Sequence, residues 1–263
     1  MSITRRDTLR LGLAGAAGFA TTIIMPYQAR AQMKEGDSYA SDSGMINIFP
    51  IAHASFVMTT PGLVIYCDPV GAPADYEGHP APDLILVTHE HGDHYSAETL
   101  AALAGDNTRI VTNPAVHGML PDDLKAKATA IGNGESLTVG DIAIDAIPAY
   151  NTTEGRLQFH PEGRDNGYVL TVDGRRVYVA GDTEDIPEMR ALEDIYIAFV
   201  PMNLPFTMDA NQAASAVAEF GPAFVYPYHY RGRDDGTQDP EEFARLLSET
   251  GGESDVVIGP WYG

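Results

Sequence analysis

Six consecutive residues, His89-Glu90-His91-Gly92-Asp93-His94, hold three imidazoles and two carboxylates. These are the nitrogen and oxygen donors that divalent metals take, and a cation held among them suits metal-activated hydrolysis. The run follows Leu84-Ile85-Leu86-Val87, an apolar stretch that reads as a buried strand. Side chains alternate faces in extended backbone, so His89 and His91 point to the same side and can reach one cation. A turn at Gly92 then presents Asp93 and His94 to a second cation a few ångströms away. A histidine-rich surface loop is the plain alternative, and the position of the run at the end of a buried strand argues against it.

The elements around the run are densely punctuated. Short strands are expected over 45–49, 55–59 and 63–67, the last two joined at Pro61-Gly62, and a buried strand over 84–87. A helix capped by Ser96 should cover 96–104, with Glu98 in its first turn. A strand over 109–112, short helices over 115–120 and 122–128, and a strand over 142–149 follow. Strands at 168–172 and 176–180 flank an Asp173-Gly174 hairpin turn. A central strand is expected over 195–200, a helix capped by Asp209 over 210–220, a strand over 223–226, and a closing helix over 240–250 with Pro240 in its first turn. The strand groups recur in two halves, which suggests two sheets packed face to face with helices outside. That layering is compatible with an αββα arrangement, which periodicity alone does not establish.

Thr88-His89-Glu90-His91-Gly92-Asp93-His94 matches the H-x-H-x-D-H signature of the metallo-β-lactamase superfamily, and the resemblance extends over roughly residues 45 to 262. It implies an α/β fold, a four-layered αββα sandwich of two mixed sheets with helices on the outer faces. It also implies that later metal ligands end strands. Gly181-Asp182-Thr183 resembles the segment whose aspartate bridges two metals, and His229 resembles the last histidine ligand. The plain readings are a turn carboxylate for Asp182, and for His229 a histidine packed among Tyr226, Tyr228 and Tyr230. Where the family expects a further histidine, this chain has Tyr150-Asn151. Its Phe159-His160-Pro161 resembles a branch of hydrolases in which His160 would be the third ligand of the first site.

The resemblance therefore implies two divalent ions, one held by His89, His91 and His160, the other by Asp93, His94 and His229, with Asp182 between them. Water between such ions loses a proton near neutral pH and can attack an acyl or phosphoryl centre. Asp93 is the catalytic candidate, orienting that water and returning the proton to the leaving group. With no thiolate in the set, zinc, manganese and iron are all admitted, zinc first. Asp68, at a strand end, is positioned to accept the second N–H of a ligating histidine. His53, in Ile51-Ala52-His53-Ala54-Ser55, resembles the Gly-His-Ala/Ser segment of the ascorbate-6-phosphate lactonase and phospholipase-D-like branches. A supporting or substrate role and a plain structural hydrogen bond are both open for it. His79 and His117 match nothing and read as surface or loop residues.

The expected substrate is a small ester, lactone or phosphodiester, and a penicillinase is disfavoured because the resemblance is to the lactonase-like branch. The loop Met202 to Met208 should lie beside the site, Tyr150, Tyr228 and Tyr230 could line its mouth, and Arg231 and Arg233 could receive a carboxylate or phosphate. A di-iron redox protein of the same fold and a non-catalytic periplasmic metal-binding protein are the alternatives. The redox relatives carry a fused flavin domain for which this chain has no room.

Composition bounds the rest. With 263 residues and 44% hydrophobic content the chain can bury a full core. Thr4-Arg5-Arg6-Asp7-Thr8-Leu9-Arg10 precedes a small, apolar stretch ending near Met25, and Ala29-Arg30-Ala31 offers a cleavage site. The pattern resembles a twin-arginine export signal, against an uncleaved membrane anchor as the alternative. Residues 1–31 therefore read as a removed leader, 32–44 as a flexible linker, and 45–263 as one hydrolase domain, exported by the twin-arginine machinery to the periplasm. The leader has four arginines against Asp7, a net of +3, so the overall charge of −21 leaves −24 on the remainder. Such a surface repels nucleic acid and anionic lipid. No later run reaches the ~18 apolar residues of a membrane span, so a small molecule is the expected partner and no stable membrane association is expected once the leader is gone. The single cysteine, Cys67, sits in an apolar run and reads as a core thiol.

Overall fold

The computed structural model describes residues 36–262, so the leader expected over 1–31 lies outside the described residues. Its frame is two mixed sheets of seven strands each. The first runs in chain order: β1 (Asp37–Ala40), β2 (Met45–Ala52), β3 (Ser55–Thr59), β4 (Val64–Cys67), β5 (Leu84–Val87), β6 (Arg109–Thr112) and β7 (Ala128–Ala130). Its first four strands pair antiparallel and the rest parallel. The second sheet also runs in chain order: β8 (Ser136–Val139), β9 (Ile142–Ala149), β10 (Asp165–Val172), β11 (Arg175–Val179), β12 (Ile195–Pro201), β13 (Phe224–Tyr228) and β14 (Asp255–Val256). Here too four antiparallel strands give way to parallel ones. Each half of the chain thus builds one sheet on the same plan.

Strand alternation sorts the side chains into layers. Ile46, Ile48, Phe56, Met58, Leu84 and Leu86 face Tyr168, Leu170, Val177, Phe199 and Tyr226 in the central core. Phe56 stacks on Phe199 across the gap, ring centroids 4.0 Å apart. The intervening residues Val57, Ile85, Val87 and Ile110 point outward onto helices α1 (Ala97–Leu103), α2 (Pro114–Met119) and α3 (Asp122–Lys125), through Leu100, Val116 and Leu124. On the other outer face, Val169, Tyr178, Ala198 and Val200 pack with α4 (Pro187–Arg190), α5 (Ala210–Phe220) and α6 (Pro240–Glu249). This is the four-layered αββα sandwich. Ser96 caps α1, and Asp209 with Gln212 forms a capping box on α5, as their residue types dictate.

One expected boundary is corrected. The stretch 32–44, read as a flexible linker for its Ser, Asp and Gly content, contains β1, which pairs with Met45–Ile48. Tyr39 explains the order: its ring is buried and its hydroxyl lies 2.5 Å from that of Tyr226, which in turn donates to Asp37 at 2.8 Å. Pro50 lies inside β2, beside a register shift toward Ala52 that turns the chain into the hairpin at His53. No helix among the described residues is long and apolar enough to cross a membrane.

Candidate metal centre

The histidine run leaves β5 at Thr88, Asp182 follows β11 through Gly181, and His229 follows β13. Asp68 directly follows β4, and Asn203 follows β12. Ligand positions therefore collect where strands of both sheets finish, the usual place for a site in open α/β sheets. Gly181 is required there. Its φ is +64°, and a Cβ on it would stand 2.8 Å from the Asn166 carbonyl oxygen.

The structure brings all seven candidate ligands together. Donor atoms of His89, His91 and His160 lie within 4.8 Å of one another, as do those of His89, His94 and Asp182, and those of His53, Asp93 and His229. Asp182 reaches across these groups: its Oδ1 is 3.3 Å from His94 Nε2, and its Oδ2 is 3.5 Å from both His160 Nε2 and His229 Nε2. Asp93 Oδ2 is 3.3 Å from His229 Nε2. Ligands bonded at ~2.1 Å to one tetrahedral ion are ~3.4 Å apart, so these separations are those of atoms able to share a cation.

His160 reaches the site although Asn151 stands where a histidine was expected. Asn151 N–H donates to the His160 carbonyl at 2.8 Å, and the Asn151 side chain donates to the carbonyls of Arg156 and Phe206. The loop after β9 is thereby folded back on itself. Glu184, fully buried, fastens it by accepting from Thr152 and Thr153 and pairing with Arg156 at 3.1 Å.

Hydrogen bonds fix the imidazole tautomers. His94 Nδ1–H donates to Asp68 Oδ2 at 2.7 Å, and Thr88 donates to the same carboxylate through its backbone N–H and its hydroxyl. The Thr88 hydroxyl, its proton given to Asp68, accepts from His89 Nδ1–H at 3.0 Å. His160 Nδ1–H donates to Asp165 Oδ2 at 3.0 Å, and Arg164 braces Asp165 from the side while its other amine pairs with Glu90. In all three rings Nε2 is the inward atom. Those three Nε2 atoms and Asp182 Oδ1 are buried and make no hydrogen bond. Buried polar atoms seldom lack a partner, so this donor set fits a cation.

The electrostatics follow from crowding. Burial, aided by the neighbouring His94, pushes the His89 pKa well below its ordinary value, and burial with His160 lowers that of His91. Burial also opposes charge on His94, but Asp182 and Asp68 outweigh it and raise its pKa, so a cation arriving there displaces a proton. Burial would raise the Asp182 carboxyl, yet His229 and His94 hold it well below the usual carboxylate range. The same opposition, won by His229 and His53, keeps Asp93 ionised.

The centre floors a cavity of about 360 Å³ lined on its walls by Phe159, Phe206, Asn203, Arg231, Gly232 and Arg233. The expected tyrosine mouth is corrected. Tyr228 is fully buried, Tyr150 bonds Glu188 at 3.1 Å, and Tyr230 packs on Tyr262. The apolar wall is instead Phe159 and Phe206, edge to face at 4.9 Å. Their signals were adjacency to His160 and a place in the Met202–Met208 loop. His53, left open between support and plain structure, lies in the centre itself, its Nε2 3.4 Å from Asp93 Oδ2. His79, which packs its ring on Phe49, and His117 stay outside the centre.

Comparison with known proteins gives the family and the fold. The model of the beta-lactamase superfamily domain matches residues 47–229. A UPF0173 metal-dependent hydrolase from Pyrococcus abyssi is 30% identical over 227 residues, covering 81% of this chain and 96% of its own length. A solved Parabacteroides distasonis protein, assigned as a metal-dependent hydrolase, is 43% identical with a TM-score of 0.77, covering 87% of this chain and 99% of that one. A metallo hydrolase from Ignicoccus hospitalis, 23% identical with a TM-score of 0.66 over 81% of this chain and 94% of its own, shares the fold.

Proposed function

The chain belongs to the metallo-β-lactamase superfamily, among the UPF0173 metal-dependent hydrolases, and from that premise we propose that it cleaves small esters, lactones or phosphodiesters using two divalent ions, zinc first among them. His89, His91 and His160 would hold one ion, Asp93, His94 and His229 the other, with Asp182 shared. The observation that carries this reading is the set of buried, unbonded Nε2 atoms converging on Asp182. The chemistry such a pair supplies when bound is Lewis acidity and the activation of water at neutral pH.

The chain's own groups do the rest. Asp93 is the accessible carboxylate of the centre, its side chain 47% exposed, so with Oδ2 turned to His229 its other oxygen, Oδ1, can orient water on the substrate side and pass a proton to the leaving group. Phe159 and Phe206 exclude water from one wall. Arg231 and Arg233 line the other, and neither pairs with a carboxylate among the described residues. In a chain of charge −21 two such cations at the mouth favour a substrate bearing a carboxylate or phosphate.

Metal content decides the assignment. An Asp182→Ala/His229→Ala protein should lose at least one bound ion, and near-normal stoichiometry would refute the ligand set. A panel of chromogenic esters, lactones and phosphodiesters then reads the activity, and bound iron without hydrolysis would replace the proposal with a redox role. Export by the twin-arginine route is proposed from residues 1–31. Replacing Arg5 and Arg6 with lysine should keep the chain in the cytoplasm, read by fractionation.

A further inference from the structure

His53 lies outside the H-x-H-x-D-H run and outside the ligand set just proposed. Its geometry nonetheless repeats that of the ligands. Each of His89, His94 and His160 has Nδ1 engaged by a polar neighbour and Nε2 turned inward. His53 does the same: Nδ1 is 2.7 Å from the Tyr262 hydroxyl, and Nε2 is 3.4 Å from Asp93 Oδ2. That oxygen is also the one 3.3 Å from His229 Nε2. Both separations are short enough for the donors to share one ion, and the three donors lie within 4.8 Å of one another.

The backbone is shaped for this placement. His53 sits at φ +53° and His229 at φ +51°, a region that side-chain-bearing residues avoid. They face each other, with His229 N–H donating to the His53 carbonyl at 3.1 Å and ring centroids 3.7 Å apart. Strained conformations of this kind persist where a site needs them. Tyr262 is itself anchored, accepting from Arg231 N–H at 3.2 Å, with the Arg231 guanidinium 4.2 Å above its ring. The closing segment of the chain therefore aims an imidazole at the centre from the hairpin between β2 and β3.

We infer that His53 is a protein ligand of the ion held by Asp93 and His229, with Tyr262 fixing its tautomer. The inference rests on the two-ion reading above and adds to it an imidazole from the first sheet's opening hairpin. The rival is a hydrogen bond alone, in which the Tyr262 hydroxyl donates to Nδ1 and Nε2–H donates to Asp93.

The test uses cobalt(II) as the probe in the whole protein. Uptake is measured by equilibrium dialysis, and coordination by visible absorption and X-ray absorption nitrogen counts. The variant is His53→Gly, since glycine accepts the positive φ. The wild type should take up two ions. His53→Gly should bind the second at least about ten-fold more weakly, lose one nitrogen from that site alone, about half a nitrogen per cobalt averaged over two filled sites, and recover the wild-type spectrum when free imidazole is added. A His53→Gly protein with two ions and unchanged spectrum and nitrogen count overturns the inference and leaves the two-ion reading standing. A wild type that takes up a single ion overturns both. Should the glycine variant not fold, Tyr262→Phe serves. It should weaken the second ion by about 10- to 100-fold with the nitrogen count retained, and unchanged affinity there overturns the inference.

Discussion

Asp68 reaches none of the candidate ions, yet three donors converge on it: Thr88 N–H, the Thr88 hydroxyl and His94 Nδ1–H. An amide at this position sets an NH₂ group against one of them. Asp68→Asn should therefore keep the fold and lose about 10- to 100-fold in metal affinity, measured by competition with a chromogenic chelator; unaltered affinity would remove Asp68 from the account. At this scale the sequence was most informative where several donors share one short run. His89 and His91 offer donors to one group although both lie beyond the end of β5, because residues two apart in a short run stay neighbours whatever the backbone does. His53 was only half legible, since its role depends on Tyr262, which lies 209 positions away. The tyrosine mouth failed for a related reason. Tyr228 belongs to a strand facing the central core, and whether an aromatic ring faces core or cavity is settled by the opposing sheet.

Turns and strand ends decide which groups can meet. Gly181 carries the chain from β11 into Asp182 where any Cβ meets the Asn166 carbonyl. Gly181→Ala should cost at least about 1–2 kcal/mol from the left-handed backbone alone, measured by urea unfolding, and should also reduce bound metal because Asp182 moves with the strand end. A loss below a few tenths of a kcal/mol would show that the turn relaxes freely. Wholly apolar strands such as β5 and the capped helix α5 were legible because burial and capping are written in contiguous residues. The strands β7 and β8 were not. Ala128–Ala130 is three residues long and half-buried at a sheet edge, and Ser136–Val139 alternates exposed and half-buried positions at another, so neither presents an apolar run. β1 escaped notice because its four residues include one apolar ring.

Across the whole molecule, the two sheets hold many phenols out of water. Burial pushes Tyr39, Tyr66, Tyr76 and Tyr262 each up to about 12, while a tyrosine in the unfolded chain ionises near ~10. Between these values the unfolded chain sheds protons that the native one keeps, so stability is intact below about pH 10 and declines as pH rises toward about 12. The melting temperature by circular dichroism should be lower at pH 11 than at pH 9, and equal values would contradict the sealed phenols. The αββα layering was only suggested by strand order, because sheet-on-sheet contact such as that of Phe56 with Phe199 joins residues far apart in the chain.

The short first strand has a consequence for where the polypeptide can safely begin. Asp37 and Tyr39 tie the rim of one sheet to Tyr226 in the other, so a shortened version starting at Met45 would strip a border strand, leave a phenol without its acceptor and open bare amide edges to other molecules. Cleavage after Ala31, by contrast, spares the whole clasp with five residues in hand before Asp37.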